Sequence, residues 1–102
     1  MYIVLLNYTA STSEVDLVLP EHAAWLDRQY EAGHFLLSGR CRTMGTAHDR
    51  LIVTRPMLRG HLDAILATDP FKLRRVVRHE VIDFEASRTA PAFLAYNELL
   101  AS

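Results

Sequence analysis

The order in which two hydrophobic periodicities alternate constrains this chain most. Residues 2–9 open on Tyr2, Ile3, Val4, Leu5 and Leu6, an apolar run without a breaker that reads as a buried strand. Ser11 and Glu14 then stand at capping-box spacing, so a short turn of helix begins there. Proline cannot donate inside a helix but suits the first turn of one, so Pro20 is expected to break that turn and start the main helix over residues 20–32. Gly33 stops this helix in a left-handed cap, and Ala23, Leu26 and Tyr30 form its core stripe. Phe35, Leu36 and Leu37 mark a second strand over 34–41. A polar loop over 43–49, containing Gly45, leads to a third strand over 50–54. Leu58, Leu62, Ile65 and Leu66 recur at helical spacing until Asp69-Pro70 stops them. The fourth strand, 76–84, sets Val77, His79 and Val81 against Arg78, Glu80 and Ile82. A polar linker over 85–91 precedes a short terminal helix, 93–100. Its apolar side (Phe93, Leu94, Tyr96, Leu99, Leu100) has no obvious home in a monomer.

The order βαββαβ is the split βαβ pattern of ferredoxin-like α+β folds. It implies a four-stranded antiparallel sheet with both helices on one face. That domain takes residues 1–85, and residues 86–102 form a C-terminal linker and helix. The other sheet face carries many apolar side chains and needs a second layer. The simplest source is another copy, so a homodimer or higher homo-oligomer is expected.

Composition narrows the function classes. The chain has 102 residues, half of them hydrophobic, which is enough for one domain with a core of its own. A chain this short still gains from association. Its formal net charge of −1 argues against nucleic acid as a partner. Arg74, Arg75 and Arg78 lack an interleaved aromatic platform and read as a solvated edge or subunit contact, an anion site being the alternative. The lone cysteine, Cys41, excludes an internal disulfide. Between Arg40 and Arg42 it reads as a small strand residue rather than a reactive thiol. The opening MYIVLLNY has no basic n-region and is too short to span a bilayer, so a cytoplasmic location without a membrane partner is expected. His34, His48, His61 and His79 are scattered without metal-ligand spacing, and there is no glycine-rich phosphate loop. Neither a metal nor another cofactor is expected.

Two residues carry the chemistry. His22 lies near the start of the main helix, one turn before Leu26, on the sheet side or its rim. Asp69 precedes Pro70-Phe71 far downstream. A histidine oriented by a carboxylate makes a proton-transfer dyad, provided the fold joins the two. Structural readings stand beside this one. His22 fits a boundary histidine capping a backbone group, and Asp69 fits an ordinary turn former. His79, mid-strand, is a second candidate base if its face is inward, and otherwise a core or interface residue.

Four pieces in sequence order resemble the YciI-like (YCII-related) family of the dimeric α+β barrel superfamily. They are the opening strand with Tyr2-Ile3-Val4, His22 within Pro20-Glu21-His22-Ala23-Ala24-Trp25-Leu26, the glycine-ended Phe35-Leu36-Leu37-Ser38-Gly39, and Asp69-Pro70-Phe71. They span residues 1–85. The chain departs from the pattern at Leu19, where arginine is common, at Arg40, where proline usually follows the glycine, and in its longer tail. The resemblance implies a His/Asp active site at His22 and Asp69. Dehalogenases and isomerases of muconolactone type among the relatives imply proton transfer or elimination on a small cyclic organic acid or lactone. In that reading Ser38 and Gly39 line the pocket, Arg40 or Arg42 holds a substrate carboxylate, and Phe71 walls it. A non-catalytic ligand-binding or accessory protein with the same cleft is the alternative. A pure interaction domain, using the terminal helix, is the third.

Overall fold

The computed structural model describes residues 1–43 and 48–100. Gly45, in the expected polar loop, lies outside the described residues. The strands are β1 (Tyr2–Tyr8), β2 (Phe35–Arg40), β3 (Arg50–Thr54) and β4 (Val77–Asp83). The helices are α1 (Thr12–Glu31), α2 (Arg59–Leu66) and α3 (Pro70–Leu73). The strands form one antiparallel sheet in the order β2-β3-β1-β4, the ferredoxin-like arrangement.

The helices cover one sheet face. Val15, Val18 and Trp25 of α1, Leu62, Ile65 and Leu66 of α2, and Phe71 of α3 pack on Tyr2, Val4, Leu6, Ile52, Phe35 and Val77. The Trp25 indole N–H donates to the Thr68 hydroxyl at 2.9 Å, so the one polar atom of a buried ring is paired. On the opposite face Leu37 and Ile82 are about half exposed.

α1 is longer than its proline suggests. It starts at the Ser11–Glu14 capping box and runs through Pro20 without stopping. An interior proline costs about 3 kcal/mol. Here Pro20 faces solvent, while Val15, Val18, His22 and Trp25 keep helical spacing on the buried side. Burial of each large apolar side chain contributes roughly 1.5–3 kcal/mol, which outweighs the lost bond. The buried stripe is therefore Val15-Val18-His22-Trp25. Ala23 is exposed, and Leu26 and Tyr30 are only partly buried.

The expected terminal helix is also corrected. Residues Pro91–Tyr96 form a 3-10 turn, and the chain turns again at Asn97. The buried Asn97 side chain accepts from the Leu99 and Leu100 N–H groups and donates to Ser87 and Thr89, so it takes partners a helix would use. Glu98 accepts from the Ala86 N–H and pairs with the α-amino group of Met1, which ties the tail to the sheet. Phe93, Leu94, Leu99 and Leu100 remain largely exposed. Among the described residues, no helix is long and apolar enough to cross a membrane.

Two turns launch the outer strands. α1 ends with Gly33 at φ 76°, with His34 N–H bonded back to Gln29 and Gly33 N–H to Tyr30. α3 ends in the same way, with Val76 N–H bonded to Phe71 and Arg75 N–H to Lys72. Both are Schellman turns. The second places Arg75, at φ 58°, where glycine is normal.

Candidate active site

Helix α1 carries His22 inward on its buried stripe. The break after α2 gives Asp69, whose carboxylate caps α3 by accepting from the Phe71 N–H at 2.9 Å. That cap turns the Asp69 side chain into the core, where it meets His22. The His22 Nδ1–Asp69 Oδ1 distance is 2.7 Å. The side chains are 1% and 0% exposed. His22 and Asp69 are thus brought together as one buried contact.

His79, a second candidate base if its face is inward, joins them. β4 turns His79 to the helix face, and its Nε2 lies 2.8 Å from Asp69 Oδ2. Asp69 thus joins two imidazoles, one on each oxygen. Burial pushes its pKa up. The hydrogen bonds from His22 and His79, the charge of His22 and the Phe71 N–H together outweigh burial, and the carboxyl sits below the usual carboxylate range. An ionised Asp69 accepts only, so each histidine donates to it. His22 then carries a proton on Nδ1, and in its neutral form the lone pair is on Nε2. His79 carries its proton on Nε2, and its Nδ1 is buried without a hydrogen-bond partner. The signal for His79 lay in the strand alternation, which puts one polar side chain in the apolar row Val77-His79-Val81.

The other expected residues take different positions. Phe71 does not wall an open pocket. It is 0% exposed, and its ring stacks on the His22 imidazole with centroids 3.9 Å apart and planes 9° apart. It fixes the ring and excludes water. Ser38 is partly buried on the helix face, bonded to the Tyr30 hydroxyl. Gly39 points to the opposite face, and a Cβ there would meet nothing within 4 Å, so no close approach requires glycine. Arg40 is exposed at the end of β2, where Gly39, Arg40, Cys41 and Arg42 line an open depression of about 610 Å³. Arg50 and Tyr8 were not singled out by the sequence. Arg50 Nε donates to the Tyr8 hydroxyl at 2.9 Å, and its guanidinium lies 6.0 Å from the Phe71 ring centre. An apolar cavity of about 290 Å³ lies apart from this cluster, between the tail and the sheet, with Met1, Leu37, Val53, Phe84, Phe93 and Tyr96 among its walls.

Among the described residues, no group of three or more histidine, cysteine or acidic side chains is placed to hold a metal ion. His34 and His61 come within 4.9 Å, edge to face, and burial, then His61 and Arg55, lower the His34 pKa.

No family model matches this chain. No curated protein matches it either. Solved structures do. The 5-chloro-2-hydroxyhydroquinone dehydrochlorinase TftG of Burkholderia phenoliruptrix AC1100, in complex with 2,5-dihydroxybenzoquinone, superposes with a TM-score of 0.63 at 14% identity, over 82% of this chain and 93% of that one. SnoaB, a cofactor-independent oxygenase from Streptomyces nogalater, superposes with a TM-score of 0.51 at 19% identity, over 88% and 94%. At these identities the likeness establishes the fold alone, a four-stranded antiparallel sheet with its helices on one face.

Proposed function

We propose that this protein is a YciI-like small-molecule enzyme that transfers a proton, or drives an elimination, on a small cyclic organic acid or lactone. His22 is the acid/base and Asp69 orients it. One observation carries the reading: a buried 2.7 Å contact between His22 Nδ1 and Asp69. It fixes the tautomer that leaves His22 Nε2 as a base, and an ionised Asp69 stabilises the imidazolium that proton uptake creates. His79 helps to hold Asp69 in place through its other oxygen. In an elimination, Nε2 takes a proton from carbon, the C–H electron pair forms the new double bond, and the leaving group departs with its own pair. In an isomerisation, the imidazolium returns the proton to a different carbon.

A structural neighbour that removes chloride from a hydroxylated ring, and another that works without a cofactor, support small-molecule chemistry on this fold. The exposed apolar side chains Leu37 and Ile82 of the open sheet face support pairing as a homodimer. The depression at Gly39–Arg42 is where we place substrate entry.

The reading is tested by incubating the protein in deuterated water with a panel of small lactones and ring-bearing acids, following hydrogen exchange at carbon by NMR. The expected result is exchange into at least one compound, lost by more than a hundredfold in His22→Ala. Exchange unchanged in His22→Ala, or no exchange with any compound, contradicts it. Saturable binding without exchange would favour a ligand-binding protein with the same cleft.

A further inference from the structure

The strand register sets four side chains in one row across the helix face of the sheet. Arg40 of β2 pairs with Arg50 of β3, Arg50 with Leu6 of β1, and Leu6 with His79 of β4. The row joins two arginines at one end to the His79–Asp69–His22 cluster at the other. Adjacent strands lie about 4.8 Å apart, so Arg50 and His79 are about 10 Å apart along the row.

Like charges directly opposite each other on neighbouring strands repel. Among the described residues, the Arg40 side chain has no hydrogen bond or ion pair, and the Arg50 side chain bonds only the neutral Tyr8 hydroxyl. Arg42 adds a third exposed cation beside the same depression. The neighbouring carboxylate, Asp49, is engaged with the Tyr8 backbone N–H at 2.7 Å. Arg40 lines the depression and Arg50 is its cross-strand partner, and two guanidinium groups without a counter-anion among the described residues suit the fork geometry that recognises carboxylates. A second observation comes from the far end of the row. His79 is 7% exposed, and its Nδ1 has no partner among the described residues, an unfavourable state unless a ligand or water supplies one. Phe71 connects the two ends, because its ring stacks on His22 and lies within reach of Arg50.

We propose that Arg40 and Arg50, with the Tyr8 hydroxyl, form the recognition site for the carboxylate of a small ring-bearing organic acid. The inference rests on the His22–Asp69 reading and deepens it by assigning the residues that hold the acid's carboxylate. The carboxylate bridges the two guanidinium groups and cancels their repulsion.

The probes are benzoate and its neutral isostere benzamide, titrated into the isotope-labelled protein and followed by NMR. Benzoate is expected to shift the Arg40 and Arg50 side-chain Nε–H signals and to bind at least tenfold more tightly than benzamide. Arg50→Gln is expected to remove that preference. Arg40→Gln, at an exposed residue without partners, provides the same test without a folding risk. Equal affinity for benzoate and benzamide, or a preference that survives both arginine variants, overturns the proposal. So does inorganic sulfate binding as tightly as benzoate, which would make the site an adventitious ion site only. Failure of the exchange test with the benzoate preference intact would reject the chemistry and leave this site standing.

Discussion

The two ends of the row across the sheet are built on opposite terms. At the histidine end, Asp69 and His22 are almost fully enclosed, and the carboxylate accepts from two imidazoles and one backbone N–H. At the arginine end, among the described residues, the Arg40 side chain is exposed and unpaired, and Arg50 is half-buried with a single neutral side-chain partner. A buried charge persists only where donors replace water, so the first end is a fixed constellation. An exposed cation keeps its water and can exchange it for an anion at small cost. The contrast assigns positioning to one end and capture to the other.

Removing Asp69 should break the comparison most severely. Asp69→Ala leaves the His22, His79 and Phe71 donors without an acceptor inside the core, and should cost about 3–5 kcal/mol in urea unfolding. A loss below about 1 kcal/mol would mean that water reaches this end as well. Acid should act on the same group. The Asp69 pKa is lowered by folding, so its contribution is complete above the ordinary carboxylate value and is lost as pH falls through the lowered folded value. Unfolding curves between pH 6 and 2 should show this loss in the wild type and a smaller one in Asp69→Asn.

Smaller effects belong to the turns that launch the outer strands. Gly33→Ala places a Cβ at φ 76°, 2.8 Å from Arg55 Nη1, a group bonded to the Gly33 carbonyl at 2.9 Å. It should destabilise by about 1 kcal/mol. Arg75→Gly relaxes a left-handed residue in the matching turn and should stabilise by about 1 kcal/mol, read as a higher Tm. The smallest effect is expected at Arg40→Gln. Stability there should change by less than about 0.5 kcal/mol, and any loss should appear in ligand binding alone.

Much of this architecture was legible in the sequence, because its signals are local. The continuous apolar run of β1, the alternation of β4, the capping box at Ser11 and the Asp69-Pro70 stop each rest on a few neighbouring residues. Pro20 misled because proline is a local signal, whereas the burial of Val15, Val18, His22 and Trp25 is a tertiary one. The tail misled because Asn97 finds partners at Ser87 and Thr89, ten and eight residues away. For the site, the resemblance named His22 and Asp69, and the alternation in β4 set His79 in one row with Val77 and Val81 without settling which face was inward. Arg50 and Tyr8 were not legible. Both lie in strands the sequence did show, but which residues face each other depends on a register that no single strand carries.

The most direct test of the central claim is the ¹⁵N spectrum of the imidazole rings at neutral pH. The account predicts His22 protonated on Nδ1, with its proton held by Asp69 and a free lone pair on Nε2, and His79 protonated on Nε2. A His22 proton on Nε2, with Nδ1 bare toward Asp69, would contradict it, because the carboxyl would then be the donor and no base would remain.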